Sequence, residues 1–158
     1  KGDRAHFLVE KLTELGVSRL TLLSTERSVV TPRETKLEKL HRYVDEACKQ
    51  CGRNVLMEVE GPIALETFLK LDSHPVERFL AHPNADTPRQ AWIESTGDVV
   101  ALIGPEGGFT DREVSQAREA GWRTIDLGTR ILRMETAAIS LAAWRMLNNG
   151  PAAGAELP

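Results

Sequence analysis

Short apolar runs alternate with amphipathic helical segments along almost the whole chain, and this alternation restricts the fold more than any other feature. "RLTLL" (19–23), "NVLMEVEGP" (54–62), "ERFLAHP" (77–83), "DVVALIG" (98–104) and "RTIDLG" (123–128) have the length and composition of strands, most of them closed by Gly or Pro. Between them lie helical patterns. Ala5, Leu8, Leu12 and Leu15 recur at helical spacing before Gly16, and Leu37, Leu40, Val44 and Ala47 form one stripe within residues 36–51. "LETFLKL" and "PRQAWIES" predict short helices, "TDREVSQAREAG" a longer one and "METAAISLAAWRMLNN" the last. Strands separated by helices predict βαβ units, hence an α/β fold with a mainly parallel sheet covered on both faces.

The last helix carries a second clue. Ile139, Ala142, Ala143 and Met146 make one apolar stripe, and Ala138, Leu141 and Trp144 extend another. A helix apolar most of the way round is either sandwiched in a core or shared between a sheet and a partner subunit, and in so small a domain the shared arrangement, a homodimer, is expected.

At 158 residues the chain suits one domain, residues 1–150, with the Ala/Gly/Pro-rich residues 151–158 expected to be a disordered tail. No apolar run approaches the roughly 20 residues of a membrane span, and the opening "KGDRAHFLVEKL" lacks the parts of a secretory signal. Lys1 is no natural initiator, so a segment removed upstream is expected. A net charge of −3 argues against binding nucleic acid by bulk positive charge, while leaving room for a local basic surface. The two cysteines, Cys48 and Cys51, form a single C-x-x-C. No second pair is present and His41 alone completes no zinc site, so no metal is expected. The pair falls in the last turn of a helix rather than at a helix start that would lower a thiol pKa, which suits reduced thiols in a cytoplasmic protein.

Three loops follow consecutive strands: "AHPNAD" (81–86), "IGPEGGFT" (103–110) and "LGTRILRMETA" (127–137). In the second, Gly104 ends the strand, Pro105 fixes φ, and Gly107 and Gly108 permit positive φ and close approach of the backbone. Thr110 and Glu113 have the spacing of a capping box, so the glycines are also explained as turn residues before a well-capped helix. Neither G-x-x-x-x-G-K-[ST] nor G-x-G-x-x-G is present. Glu106 would repel a phosphate, so a neutral or cationic ligand fits the loop better; S-adenosylmethionine, with its sulfonium and ammonium, is such a ligand. The third loop packs Arg130 and Arg133 beside Glu135 and Thr136 at a helix start, where Glu135 suits the macrodipole. A plain cap needs no arginines, although salt bridges on the surface or between subunits would also account for them.

"IGPEGGF" followed by "LGTRILRMETA" resembles the paired signature of the ribosomal RNA small subunit methyltransferase E family, among the SPOUT (α/β-knot) methyltransferases. "EKLTELGVSRLTLLSTERSVV" and "EACKQCGRNVLMEVEGP" also look like that family's pattern, so the resemblance covers residues 1–148; Met57, where proline is expected, departs from it. The resemblance implies a parallel sheet whose C-terminal segment threads a trefoil knot, a feature that sequence rules would not propose. It implies a homodimer that binds S-adenosyl-L-methionine in loops around His82, from Ile103 through Gly104, Pro105, Glu106 and Gly107 to Gly108, and from Leu127 through Gly128, Arg130 and Ile131 to Leu132. It also implies methylation of N3 of a uridine in 16S ribosomal RNA, either free or in the assembled small subunit, and an N-terminal PUA-like domain that this sequence lacks.

Uridine N3 becomes a nucleophile when it loses its proton, and guanidinium donors at O2 and O4 would stabilise the anion. Arg133 is the candidate for that role, Glu135 a conceivable proton acceptor, and Arg27 and Arg53 candidates for contacts to RNA phosphate or base. Two other readings are a methyltransferase of the same fold acting on another RNA base, and a non-catalytic RNA- or nucleotide-binding module.

Overall fold

The computed structural model describes residues 2–28, 34–72, 75–88 and 90–148; the expected tail at 151–158 lies outside the described residues. In chain order the elements are α1 (Gly2–Glu14), β1 (Arg19–Ser24), α2 (Glu34–Cys51), β2 (Glu58–Ala64), α3 (Leu65–Leu69), β3 (Glu77–Ala81), α4 (Gln90–Glu94), β4 (Val99–Leu102), α5 (Asp111–Glu119), β5 (Arg123–Ile125) and α6 (Met134–Asn148). The alternation of strand and helix therefore follows the sequence pattern.

Among the described residues all strand pairs are parallel, as the βαβ reading requires, but the ladders fall into two sets, β1-β2 and β4-β3-β5, rather than one continuous sheet. β4 is four residues long and runs into Gly104 and Pro105, and a proline cannot donate to a ladder. Side chains alternate between faces, as a pleated strand dictates. Leu80, Val100 and Leu102 join α3 and α5 in one apolar cluster. Phe79, Val99, Ala101 and Ile125 face the other way, into a cluster holding Trp92 of α4 and Leu141 of α6. Phe79 is fully buried and meets Trp92 edge-on at 5.1 Å, an aromatic geometry worth about 0.5–1.5 kcal/mol beyond its area. A third cluster joins α1, α2 and α6 over β2 through Val9, Leu40, Val44, Val59 and Ala138.

Two stretches around β2 differ from the sequence reading. "EGP" does not break β2, which continues through Gly61 and Pro62 to Ala64. Among the described strands β2 pairs only with β1, so a proline without an N–H is tolerated on its open side. Gly61, at φ 105, passes so close that a Cβ would lie 2.3 Å from the Leu22 carbonyl oxygen, beside a register shift between Thr21 and Leu23. The start of the expected strand, residues 54–57, is not strand; Met57, which takes a place where proline is expected, is instead a core residue at 1% exposure.

In α6 the buried residues are Ala137, Ala138, Leu141 and Ala142. Trp144 and Met146, expected in the apolar stripes, are 44% and 45% exposed and lie with Met134 and Leu147 outside the core. Small side chains let the helix lie close to its neighbours on one side, which leaves the large ones on the other. Cys48 is buried and Cys51 exposed at the end of α2, both as free thiols. No group of metal-ligating side chains occurs among the described residues, and no described helix is long and apolar enough to cross a membrane.

Candidate functional site

The strand order β4-β3-β5 brings the loops that follow these three strands to one end of the sheet, where ligands of open parallel sheets bind. The loop after β3 folds back along β5. The His82 N–H donates to the Ile125 carbonyl at 2.9 Å, the Thr87 N–H donates to the Thr124 carbonyl at 3.2 Å, and Thr87 and Ile125 form a parallel bridge. Between this loop and the one after β5 lies a cleft of about 870 Å³, lined by residues 85–88, 126–130 and Leu132.

Four of the expected cofactor residues, Leu127, Gly128, Arg130 and Leu132, line this cleft. His82 and the glycine loop from Ile103 to Gly108 do not. His82 stands at the end of β3 with Nδ1 accepting the Asn84 N–H at 3.2 Å, and the Ile131 side chain is 91% exposed and points away. The cleft adds Asp86 and Asp126, which the sequence reading did not select. Asp86 accepts a hydrogen bond from the buried Thr124 hydroxyl and lies 3.2 Å from the Arg118 guanidinium. The Thr124 hydrogen bond, reinforced by the Arg118 charge, holds the Asp86 carboxyl below its usual range despite the opposing effect of burial. Asp126 Oδ1 accepts the Gly128 N–H at 3.0 Å, an Asx turn whose D-x-G spacing was visible at the end of "RTIDLG".

The glycine loop is folded tightly on itself. Its Gly108 N–H donates to the Pro105 carbonyl at 2.8 Å, and a Cβ on Gly104 would lie 3.2 Å from Gly108 Cα and from Phe109 N. Gly107 and Gly108 divide the two expected roles: Gly108 has positive φ, at 67, whereas Gly107 permits close approach. What approaches Gly107 is Arg27. Its alkyl stem would be 3.3 Å from a Gly107 Cβ, and its Nη1 donates to the Gly107 carbonyl at 2.8 Å and the Phe109 carbonyl at 3.4 Å.

The capping box is present. The Glu113 N–H donates to Thr110 Oγ1 at 3.2 Å, and the Thr110 N–H donates to Glu113 Oε2 at 2.8 Å. Glu113 is 3% exposed, and its second carboxylate oxygen accepts the Glu26 N–H at 2.8 Å. The cap thus also ties down the turn that carries Arg27.

Arg4 of α1, unremarked in the sequence reading, contacts both other loops. It pairs with Glu106 at 2.9 Å and lies 3.7 Å from Glu135, whose side chain is only 14% exposed. The charge on Glu106 is therefore met from within the protein, and its repulsion of an anion is offset. Arg133, exposed, immediately precedes α6, and its backbone carbonyl accepts the Ala137 N–H at 2.9 Å. Arg53 donates to the Thr13 carbonyl at 3.0 Å, closing the C-terminal end of α1. No charge periodicity could have marked Arg4 or the second partner of Glu113, because both contacts span most of the chain.

With this geometry established, comparison with known proteins is informative. The family model described as "RNA methyltransferase domain" matches residues 1–146. The chain is 34% identical over 142 residues to a ribosomal RNA small subunit methyltransferase E of Synechocystis sp., covering 87% of this chain and 47% of that relative. It is 33% identical over 140 residues to one from Aquifex aeolicus, covering 86% of this chain and 59% of that protein. Among solved structures, a ribosomal RNA small subunit methyltransferase E from Neisseria gonorrhoeae bound to S-adenosyl methionine superposes with a TM-score of 0.81 at 34% identity, covering 93% of this chain and 62% of that one. A putative methyltransferase from Legionella pneumophila in complex with the same cofactor gives a TM-score of 0.82 at 34% identity, with the same coverages. The chain spans about half the length of the curated relatives it matches.

Proposed function

The chain belongs to the RNA methyltransferase domain family, and from that premise we propose that it transfers the methyl group of S-adenosylmethionine to N3 of a uridine in 16S ribosomal RNA. The observation that carries the reading is the cleft between the loops after β3 and β5. Its volume lies within the roughly 300–1,000 Å³ usual for small-ligand sites. Its lining suits the cofactor: Pro88, Leu127 and Leu132 offer apolar surface, Asp126 offers negative charge to the cationic groups, and Arg130 offers a donor to the carboxylate. Residues 85–88, 126–130 and Leu132 would hold it, with the glycine loop 103–108, which leaves the same end of the sheet after the neighbouring strand β4, meeting it from that side. When bound, S-adenosylmethionine supplies a methyl group on a positively charged sulfur, which makes that carbon electrophilic.

The remaining chemistry belongs to the protein. Arg133, exposed beside the cleft wall at Leu132, would donate hydrogen bonds to the uridine oxygens and favour the N3 anion. Glu135, held near Arg4 at the start of α6, orders the helix entrance and is the candidate to receive the N3 proton. The work left over is alignment of the two reactants, which alone lowers a barrier by about 7–11 kcal/mol. The exposed Met134, Trp144 and Leu147 support a homodimer built on α6. With that substrate the reaction would take place in the cytoplasm, on 16S ribosomal RNA or the small subunit assembled around it.

Thermal unfolding tests the cofactor assignment. Saturation at 100 times Kd stabilises the fold by about 2.7 kcal/mol, or roughly 5–11 °C for a domain of this size, and an unmoved midpoint refutes it. Reverse transcription of 16S ribosomal RNA tests the base: N3 methylation blocks pairing and stops the polymerase, so deleting the gene should abolish the stop. A stop that persists overturns the uridine assignment.

A further inference from the structure

We propose that Arg27 is a positioning residue for the glycine loop, setting the shape of residues 104–110 through two backbone carbonyls, and that it is not an RNA contact. The inference rests on the methyl-transfer reading above and deepens it by naming what shapes the second loop of that site.

Three contacts converge from the single turn Thr25–Ser28. The Arg27 guanidinium donates to the carbonyls of Gly107 and Phe109 at 2.8 and 3.4 Å. Its stem lies against the Gly107 α-carbon, where a Cβ would be 3.3 Å from Arg27 Cβ and 3.4 Å from Cδ. The neighbouring Glu26 N–H is held at 2.8 Å by the buried Glu113 carboxylate, which also caps α5 just beyond the loop.

The turn itself is a firm base. The Ser28 N–H donates to the Thr25 carbonyl at 3.1 Å, the Thr25 N–H donates to Ser28 Oγ at 3.0 Å, and the two hydroxyls are 2.8 Å apart. Arg27 therefore leaves a fixed backbone and reaches carbonyls that belong to peptides two residues apart. Both bonds leave one nitrogen, Nη1, whose two N–H bonds are fixed in the guanidinium plane, whereas an ammonium rotates on a flexible stem. A loop with glycine at 104, 107 and 108 gives up much backbone freedom on ordering. Contacts from outside it therefore decide which of its conformations the cofactor meets. A methyl group at Gly107 would crowd the Arg27 stem by a few tenths of an ångström, so the glycine lets the stem lie at contact distance.

The test uses the whole chain, S-adenosylmethionine and a 16S ribosomal RNA fragment, with binding to each measured by calorimetry. Arg27→Ala should weaken S-adenosylmethionine binding at least tenfold while leaving RNA affinity and its salt dependence within twofold. Arg27→Lys should recover part of the loss. Gly107→Ala, whose methyl meets the Arg27 stem, should resemble Arg27→Ala, and the double variant should be no worse than the weaker-binding single.

Unchanged cofactor affinity with reduced RNA affinity would make Arg27 an RNA contact and overturn the proposal; so would additive losses in the double variant. Hydrogen exchange separates this proposal from the reading beneath it. If the wild-type chain fails to bind S-adenosylmethionine, the methyl-transfer reading falls, yet faster exchange of the Gly108 amide in Arg27→Ala still supports the clasp. Exchange at the wild-type rate refutes it.

Discussion

Arg4 and Glu106, 102 residues apart in the sequence, form a hydrogen-bonded ion pair of 2.9 Å that joins α1 to the glycine loop. Both side chains face water, at 48% and 75% exposure, so the pair is screened and its energy is small. A double-mutant cycle of Arg4→Ala and Glu106→Ala should give a coupling of about 0.2–1 kcal/mol in urea unfolding, vanishing in molar salt. A coupling above that range would mean the loop is held by this pair rather than by Arg27.

Glu113 should matter far more. Its buried carboxylate accepts from two backbone amides, Thr110 and Glu26, so Glu113→Ala removes a cap and leaves an amide without its partner. Lost caps cost about 1 kcal/mol and the part-buried hydrogen bond of the Glu26 amide, which water can replace, about 0.5–1.5 kcal/mol, giving a fall of roughly 1.5–2.5 kcal/mol. Glu113→Gln keeps an acceptor oxygen and should lose less. Differential scanning calorimetry reads both, and a melting temperature for Glu113→Ala within a degree of wild type would contradict the double role.

For Asp86 the expectation concerns acid. Its carboxyl is held below the usual value by Thr124 foremost and by Arg118, so the folded state keeps it ionised where the unfolded chain begins to take up protons. Stability from this group is complete above the unfolded value of about 3.9 and is lost as pH falls through the lower folded value. Thr124→Val should move the carboxyl resonance titration of Asp86 upward and flatten this acid limb. An unshifted titration would show that the Thr124 hydroxyl is not the cause.

Arg133→Ala should lower kcat by about 100- to 1,000-fold, as loss of one anion-stabilising donor does elsewhere, with S-adenosylmethionine affinity within a few-fold of wild type. Single-turnover kinetics alongside calorimetry checks both halves. Lost cofactor binding with proportionate activity would move Arg133 from the reacting base to the cofactor pocket.

Much of this architecture was legible because its causes are local. Short apolar runs closed by Gly or Pro marked the strands, helical spacing marked the helices, and Thr110 with Glu113 announced the start of α5 from spacing alone. What escaped depends on distant partners. Pro62 reads as a breaker until β2 proves to have an open side, and which stripe of α6 turns inward stays open until its alanines take the core side and leave Trp144 outside. The sequence offers Arg27 and Arg53 as candidates for RNA contacts, and it does not show that each gives Nη1 to a backbone carbonyl, of Gly107 and of Thr13. Charge gives the range of partners an arginine accepts; only the fold decides which one is within 3 Å. Glu106 makes the same point, since its local electrostatic meaning changes once Arg4 lies beside it.

The bonds that fix the glycine loop share one property: Arg27 to Gly107 spans 80 residues, Glu26 to Glu113 spans 87, and Arg4 to Glu106 spans 102. During synthesis the first third of the chain must therefore wait for the last third before this loop has a defined shape, and such distant closures form slowly. Chains released early, before Glu113 is made, would lack the clamp on Glu26 together with β5 and α6, and so could not sequester the cofactor in competition with finished protein. Cofactor binding at this loop would then report complete assembly of the domain.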